Sequence, residues 1–345
     1  MTLPIPSGTR DVLPDEMREL RAIGDALRGV FEEAGYGEVS TPALEYESVL
    51  AKGDLAGARP AYRVVDDHGD VLVLRSDMTV PIARVASSRY SSAELPLRFW
   101  YLAHAYRQVR PRRGMSRELL QVGIELIGSG APEGTAEALT VLCRGLAATG
   151  LRDFRVGLGD ASLFPAVLDG LGLPDDARGR ILHELSTHDF VGVERELAVA
   201  GLTRDAADSL VALAQQRGGA AVLDAVPEAA AQAVAGMRDV HALLDDDVAD
   251  RVIFDLGLVR DLGYYTGAVF EVYDPALGVP LGGGGRYDDL LGQFGRPLPA
   301  VGFALVVDRL HLALHGEEGG NTRPGARVPR DEVADAPSSA SLEGA

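Results

Sequence analysis

The stretch LVRDLGYYTG at residues 258–267 places an arginine and two tyrosines immediately before the strand-like run GAVFEVYD. Three other segments also combine polar side chains with strand-like runs, namely LRSDMT at 74–79, AYRQVRPRRGMSRELLQVGIE at 105–125 and AVGFALVVDR at 300–309. None of them is a nucleotide-binding fingerprint, and the glycine run GGGGRYDD at 282–289 fits neither a phosphate loop nor GxxxxGK[ST]. Taken alone, this run predicts a glycine-rich hairpin or a close backbone approach.

The composition limits the classes of protein that this chain can represent. It has 345 residues, of which 46% are hydrophobic and 24% charged, as is ordinary for a soluble globular protein. The formal net charge of −18 argues against extensive contact with nucleic acid. With no membrane-length apolar run and no signal peptide, we expect a cytoplasmic protein without membrane contact. The single cysteine, Cys143, excludes an internal disulfide, and we expect no metal site, no cofactor and no catalytic cysteine.

Periodicity predicts an α+β protein whose main domain is discontinuous. Residues 14–34 have helical spacing and end before Gly35, while Pro42 interrupts the next strand-like stretch, which favours an edge position or an interface. Residues 97–127 predict two antiparallel strands joined by a long charged loop. Residues 162–249 predict a separate helical insertion, so the core comprises 1–161 and 250–315, and 316–345 predict a disordered tail.

Taken together, the four segments resemble the active-site segments of histidyl-tRNA synthetase in order and spacing. The stretch RDLGYYTG is the most specific part, because it resembles that family's histidine-binding RGLDYY signature. The opening PSGTRDVLP and Pro42 look like the family's N-terminal lead and motif 1, so the resemblance spans most of residues 6–310. It implies the catalytic core of a class II aminoacyl-tRNA synthetase, with an antiparallel sheet flanked by helices.

The resemblance also implies a pocket for free histidine, which needs anions for the ammonium group, a cation for the carboxylate and polar groups for the ring nitrogens. Asp77, Thr79 and Gln121 fall where the family holds the α-amino group, although the family usually has Glu at the first of these positions. Glu125 and Tyr265 fall at the imidazole. Arg260 falls at the arginine that contacts the carboxylate, with Tyr264 beside it. The motif 2 arginine, Arg107, completes the candidate histidine-binding set.

The ATP side of the pocket departs from the family pattern. Val109 replaces the motif 2 glutamate that helps to fix ATP, and Met115 replaces a loop arginine that Arg113 and Arg117 do not restore in the same geometry. Val306 stands where the family has a glycine beside the adenosine, and the added methyl groups cost about 1–3 kcal/mol on ATP binding. In the signature itself, Asp261 and Gly263 replace the family's Gly and Asp.

These departures resemble the regulatory subunits of ATP phosphoribosyltransferase, a non-catalytic branch related to histidyl-tRNA synthetases. The resemblance implies a homodimer that joins a short-form catalytic subunit in a hetero-oligomer and binds histidine as the feedback inhibitor of histidine biosynthesis. Only residues 310–345 follow Arg309, too few for an anticodon-binding domain, so we expect no tRNA anticodon binding. Two alternatives stay open: a stand-alone enzyme that activates histidine, favoured by Arg107, Arg260 and Arg309, and a binding module for another partner.

Overall fold

The computed structural model describes residues 4–53, 61–108, 116–259 and 263–318. In these ranges the α-helices are α1 (Pro14–Glu33), α2 (Glu47–Leu50), α3 (Thr79–Arg89), α4 (Glu133–Ala148), α5 (Leu163–Gly170), α6 (Asp175–Ser186), α7 (Phe190–Val199), α8 (Arg204–Ala214), α9 (Ala231–Ala242), α10 (Asp246–Ala249) and α11 (Val307–Glu318). The strands are β1 (Gly37–Glu38), β2 (Leu44–Tyr46), β3 (Arg63–Val65), β4 (Val71–Leu74), β5 (Leu97–Tyr106), β6 (Glu118–Ile127), β7 (Arg155–Asp160), β8 (Arg217–Gly218), β9 (Val252–Asp255), β10 (Ala268–Tyr273), β11 (Gly282–Arg286) and β12 (Ala300–Val306).

Nine of the described strands form one large sheet, in the order β1-β5-β6-β12-β11-β10-β7-β9-β8. The antiparallel pairing of β5 with β6 confirms the hairpin predicted for residues 97–127. The sheet is mixed, however, because β1 runs parallel to β5 and β7 runs parallel to β9. The prediction of an antiparallel sheet was therefore right for the centre and wrong for two of the pairings towards its ends. A smaller sheet has the order β2-β4-β3.

The first helix confirms the predicted amphipathic pattern. Leu20, Ile23, Leu27 and Phe31 are buried at three- and four-residue spacing, which places them on one face of α1. The helix ends just before Gly35, whose φ of 84° lies in the left-handed region that glycine adopts without strain. Together with α4 and α11, this helix covers one face of the large sheet.

The two faces of the sheet differ because side chains alternate along each strand. On β6, Val122 and Ile124 point into the large apolar core beneath α1, α4 and α11. Gln121 and Glu125 occupy the alternate positions of the same strand and are also buried. That second face is lined by a smaller apolar cluster, to which α3 contributes Ile82. Buried polar residues on this face are the signature of a site, since a purely structural face carries apolar ones.

The glycine run is itself a strand, which sequence periodicity did not identify. Gly282–Arg286 form β11 between β10 and β12. A Cβ at Gly284 would overlap the carbonyl oxygen of Gly302 and approach Cα of Phe303 to 2.8 Å. The predicted close backbone approach is confirmed at this position. A strand without side chains leaves an open stretch on the second face of the sheet.

The segment 162–249 is mainly helical but does not have a core of its own. Its buried residues Leu168, Ile181 and Met237 belong to the same apolar cluster as the helices behind the sheet. In addition, β8 extends the large sheet by pairing with β9. In the described residues this segment thus packs into the main core, because short helices bury too little apolar surface by themselves. The division of the chain into a core domain and a helical insertion stays a prediction.

The last described helix, α11, continues from β12 without a loop and runs to Glu318. Residues 316–318 are thus helical, although the sequence assigned them to a disordered tail; residues 319–345 lie outside the described residues. Among the helices that the structure describes, none has the length and apolarity that crossing a membrane requires.

Candidate functional site

Small residues form the floor of the second face of the sheet. Gly123 on β6 pairs with Tyr101 on β5 and with Ala304 on β12, while Gly302 on β12 pairs with Gly285 on β11. Larger side chains do not fit there. A Cβ at Gly302 would overlap the carboxylate of Glu125, and one at Gly285 would lie 2.8 Å from the ring of Tyr265. The glycines therefore make room for the polar side chains of the candidate site.

Glu125 lies at the centre of this face, 1% exposed. Its Oε1 accepts a hydrogen bond from the hydroxyl of Thr79 at 2.7 Å, and its Oε2 accepts one from the hydroxyl of Tyr287. Burial raises the pKa of Glu125 to about 8; the two hydroxyl donors act in the opposite direction, and the nearby charge of Asp77 adds to the rise. A buried carboxyl that titrates near neutral pH is typical of a functional group.

The N-terminus of α3 positions Asp77 and Thr79. The backbone N–H of Val80 donates to Oδ1 of Asp77 at 3.0 Å, so the aspartate satisfies an N–H of the first helical turn. The shorter side chain of aspartate suits this capping role, which keeps its carboxylate next to Glu125. The structure thus brings Asp77, Thr79 and Glu125 together from segments that are far apart in the sequence.

The tyrosines form one aromatic group beside Glu125. The ring centroids of Tyr264 and Tyr265 lie 5.0 Å apart, and those of Tyr264 and Tyr287 lie 5.7 Å apart. Burial, and then the charge of Glu125, raise the pKa values of Tyr101 and Tyr287, so both hydroxyl groups stay protonated as donors. Sequence reasoning missed Tyr101 and Tyr287. Tyr287 directly follows Arg286 at the end of the glycine strand. This position is the feature of the sequence that could have identified it as a candidate site residue.

Gln121 completes the face at the other end of β6. It is buried and pairs with Ala103 on β5 and Val306 on β12. Val306 is itself 5% exposed, and its pairing with Gln121 places it on the same face of the sheet as Gly302, which pairs with Glu125. The expectation that Val306 reduces the room for a bound adenosine stays a prediction.

The remaining predicted residues lie apart from this group or outside the described residues. Arg107 is exposed just beyond β5, where its backbone N–H donates to the carbonyl of Arg117 at 2.9 Å. The Arg107 residue is exposed, whereas Glu125 is buried. Arg260 falls outside the described residues, as do Val109, Arg113, Met115 and Asp261.

Arg309 reaches the carbonyl of Pro280 with one guanidinium nitrogen at 2.6 Å. Burial lowers its pKa, while the charges of Glu271 and Asp308 act in the opposite direction. Glu271 pairs with Gly283 and so occupies the same face as the glycine floor. Arg309 therefore has a structural partner in Pro280, and its assignment to an ATP site stays a prediction.

Arg75 is a third residue that sequence reasoning missed. It is 6% exposed, and its guanidinium group donates to the carbonyl of His104 at 2.9 Å and to that of Pro42 at 3.2 Å, and also to Thr41. This arginine therefore fixes the segment around Pro42 to the end of β5. The sequence shows an arginine two residues before Asp77, but it does not reveal the buried carbonyl groups to which that arginine donates.

Comparison with known proteins identifies the family of this chain. A family model described as histidyl-tRNA synthetase matches residues 8–310. An ATP phosphoribosyltransferase regulatory subunit of Moorella thermoacetica is 41% identical over 91% of this chain and 82% of its own length. One from Desulforamulus reducens is 38% identical over 95% of this chain and 81% of its own length. The chain belongs to the family of ATP phosphoribosyltransferase regulatory subunits.

Solved structures agree with membership of the regulatory-subunit family. A Bacillus halodurans protein, described as an ATP phosphoribosyltransferase regulatory subunit/histidyl-tRNA synthetase, has a TM-score of 0.81 and 33% identity, covering 91% of this chain and 84% of its own. A histidine–tRNA ligase subunit from Alicyclobacillus acidocaldarius has a TM-score of 0.79 and 33% identity, covering 92% and 99%. The histidyl-tRNA synthetase of Nostoc, at 22% identity and a TM-score of 0.75 over 93% and 76%, shares the fold. The predicted class II synthetase-like fold is thus confirmed.

Proposed function

We propose that this chain is the non-catalytic regulatory subunit of ATP phosphoribosyltransferase in the first step of histidine biosynthesis. In this role it supports a short-form catalytic subunit and binds histidine as the feedback inhibitor. The observation that carries the proposal is the buried carboxyl of Glu125, held by Thr79 and Tyr287 above a floor of small residues. The regulatory-subunit names of its relatives support the partner.

The chemistry of the site suits histidine. Glu125 and Tyr265 offer an acceptor and a hydroxyl group for the two imidazole nitrogens. Asp77 supplies negative charge, and Thr79 and Gln121 supply oxygen acceptors, for the α-ammonium group. In the proposal Arg260 binds the carboxylate, next to Tyr264, while Arg107 contributes positive charge from the entrance. Each end of the zwitterion then meets a group of complementary charge.

Activation of histidine with ATP demands more than this pocket. The transition state needs arginines around the α-phosphate and space for the adenosine. The substitutions at Val109, Met115 and Val306 remove parts of that machinery, and the carbonyl of Pro280 already engages Arg309. These features support a binding role without catalysis.

Feedback by such a subunit is a matter of differential affinity. Histidine shifts the complex towards an inhibited state only if it binds that state more tightly than the active one. If histidine lowers the affinity of the catalytic subunit for a substrate by some factor, linkage requires that substrate to lower the affinity for histidine by the same factor. We further propose that the chain forms a cytoplasmic homodimer through the region around Pro42 within a hetero-oligomer, without binding a tRNA anticodon.

Calorimetry of histidine binding, alone and in complex with the catalytic subunit, tests the proposal. The wild type should bind histidine, and Glu125→Ala should abolish binding. Glu118→Ala is the matched control, because Glu118 lies on the same strand at an alternate position, facing the opposite side of the sheet. Failure of the wild type to bind in either form would rule out the sensor. Asp77→Ala should behave like Glu125→Ala.

Two further assays separate the alternatives. Robust histidine-dependent exchange of ATP with pyrophosphate would identify a histidine-activating enzyme and contradict the regulatory role. ATP phosphoribosyltransferase activity that appears only when this chain is mixed with a short-form catalytic subunit would support the proposed partner. Catalytic activity that is unaffected by this chain would instead favour a binding module for another protein.

A further inference from the structure

Three metal-ligating side chains converge where α1 lies against α11, on the opposite face of the sheet from Glu125. Glu19 belongs to α1, and His311 and His315 belong to α11. One ligand atom from each lies within 4.8 Å of the others. The two histidines are four residues apart and therefore share one face of the helix.

One carboxylate oxygen serves both imidazole rings. Oε2 of Glu19 lies 2.5 Å from Nε2 of His311 and 3.6 Å from Nε2 of His315. The two ring centroids are 4.4 Å apart. Two ring nitrogens and a carboxylate oxygen thus surround one small volume at the protein surface, which a metal ion can reach from solvent.

The tautomer of His315 favours a ligand in this volume. Its Nδ1 lies 3.1 Å from the backbone oxygen of His311. A carbonyl oxygen only accepts hydrogen bonds, so Nδ1 carries the proton. In the neutral ring, Nε2 is then an acceptor whose lone pair is available to a cation, and it lies 3.6 Å from Oε2 of Glu19.

We propose that Glu19, His311 and His315 bind one Zn²⁺ ion that links α1 to α11. Two imidazole nitrogens and one carboxylate oxygen are a known donor set for zinc, with the fourth position left to water. Histidine ligands of zinc commonly donate their other ring N–H to a backbone carbonyl, as His315 does here. This proposal departs from the sequence expectation of no metal site, which considered the lone cysteine but not the histidine spacing.

The adjacent turns of the two helices are already in contact through charged groups. Arg10 pairs with Glu16 of α1 at 2.6 Å and with Asp308 of α11 at 2.5 Å. Glu16 and Glu19 lie on one face of α1, and Asp308 and His311 lie on one face of α11. The metal ion would therefore extend an existing contact between helices without requiring them to move apart.

Zinc titration of the untagged full chain, stripped with chelator and competed against a chromogenic indicator, tests the site. The wild type should bind one zinc per chain at micromolar concentration or below. His311→Gln and His315→Gln should each weaken binding by about tenfold or more, and Glu19→Gln should do the same. The control is His183→Gln on α6, an exposed helical histidine outside the cluster, and it should bind as the wild type does.

Thermal unfolding supplies a second measurement. Zinc should raise the melting temperature of the wild type and of His183→Gln, because an ion that binds only the folded chain stabilises it. It should leave His311→Gln and His315→Gln unchanged. If the wild type binds no zinc, or if all the variants bind it equally, the residues form an ion-paired contact between helices and the proposal is wrong.

Discussion

The hydroxyl group of Tyr287 donates a hydrogen bond to Oε2 of Glu125, although 162 positions separate the two residues. Thr79 holds the other oxygen of the same carboxyl at 2.7 Å. Both hydroxyl groups favour the ionised form, yet burial has the larger effect and raises the pKa to about 8. The group is therefore mostly protonated at neutral pH in the unliganded protein. A ligand that presents an N–H donor or a positive charge would shift it towards the carboxylate.

Replacing Glu125 with glutamine should change how stability depends on pH. The pKa of this carboxyl rises from about 4.5 in the unfolded chain to about 8 in the folded protein. The folded protein prefers the protonated carboxyl. The stability that this preference contributes is therefore fully present below pH 4.5 and is lost as the pH rises through 8. Urea denaturation at pH 5, 6.5 and 8 should show the wild type losing stability relative to Glu125→Gln. Parallel pH profiles for the two proteins would contradict the assignment.

Tyr287→Phe removes one of the two donors to the buried carboxyl without changing the ring. An unsatisfied buried acceptor costs about 1–3 kcal/mol, so the free energy of unfolding should fall by that amount at pH 8, where much of the carboxyl is ionised. The pKa of Glu125 should also rise further. Tyr90→Phe is the control, since Tyr90 is 40% exposed, and it should change the stability by less than about 0.5 kcal/mol. If Tyr287→Phe lowers the free energy of unfolding no more than Tyr90→Phe does, the hydrogen bond to Glu125 does not contribute to stability.

Gly302→Ala tests the floor of the site. The added Cβ would overlap Glu125 and lie 2.5 Å from the carbonyl oxygen of Ile124, which belongs to a rigid central strand. We expect a loss of at least about 1–3 kcal/mol in the free energy of unfolding, together with loss of histidine binding. Gly179→Ala, in the interior of α6 with open space around it, should instead stabilise the chain by about 0.5–1 kcal/mol. Chemical denaturation of both variants gives the comparison.

Arg75→Met should loosen the segment that contains Pro42. The substitution leaves the carbonyls of Pro42 and His104 without their donor, at a cost of about 2 kcal/mol or more. If the proposed homodimer forms through this segment, sedimentation should also show weaker self-association. Arg28→Met is the control, because Arg28 is exposed on α1 and forms a surface ion pair with Asp25 at 3.2 Å, so neither property should change. Unchanged association in Arg75→Met would place the dimer interface elsewhere.

The sequence was sufficient to predict the elements with clear periodicity. The helix α1 and the β5–β6 hairpin follow directly from apolar spacing, and the fold class follows from the order of the motifs. The strand β11 could not be found in the same way, because Gly282–Gly285 carry no side chains and so no alternation. Its position depends on close backbone packing against β10 and β12, which is a tertiary property.

Prediction of the site had a similar limit. The resemblance supplied Asp77, Thr79 and Glu125 because they lie in recognisable motifs, and the structure brings these three together. The sequence did not predict Tyr287, because its role depends on a hydrogen bond to Glu125, which is distant in the sequence. For Arg260 and Arg107, the assignment to histidine stays a prediction.

The pairing of β8 with β9 matters for anyone who wishes to shorten this protein. Deleting residues 162–249 would remove β8 and the helix that places His241 against the ring of Phe254, 5.3 Å between centroids. The trimmed protein would then present an unpaired strand edge beside bare apolar surface, a combination that promotes aggregation. Redesign should therefore retain the segment and alter only its outward-facing positions, such as the exposed Val191 and Val199.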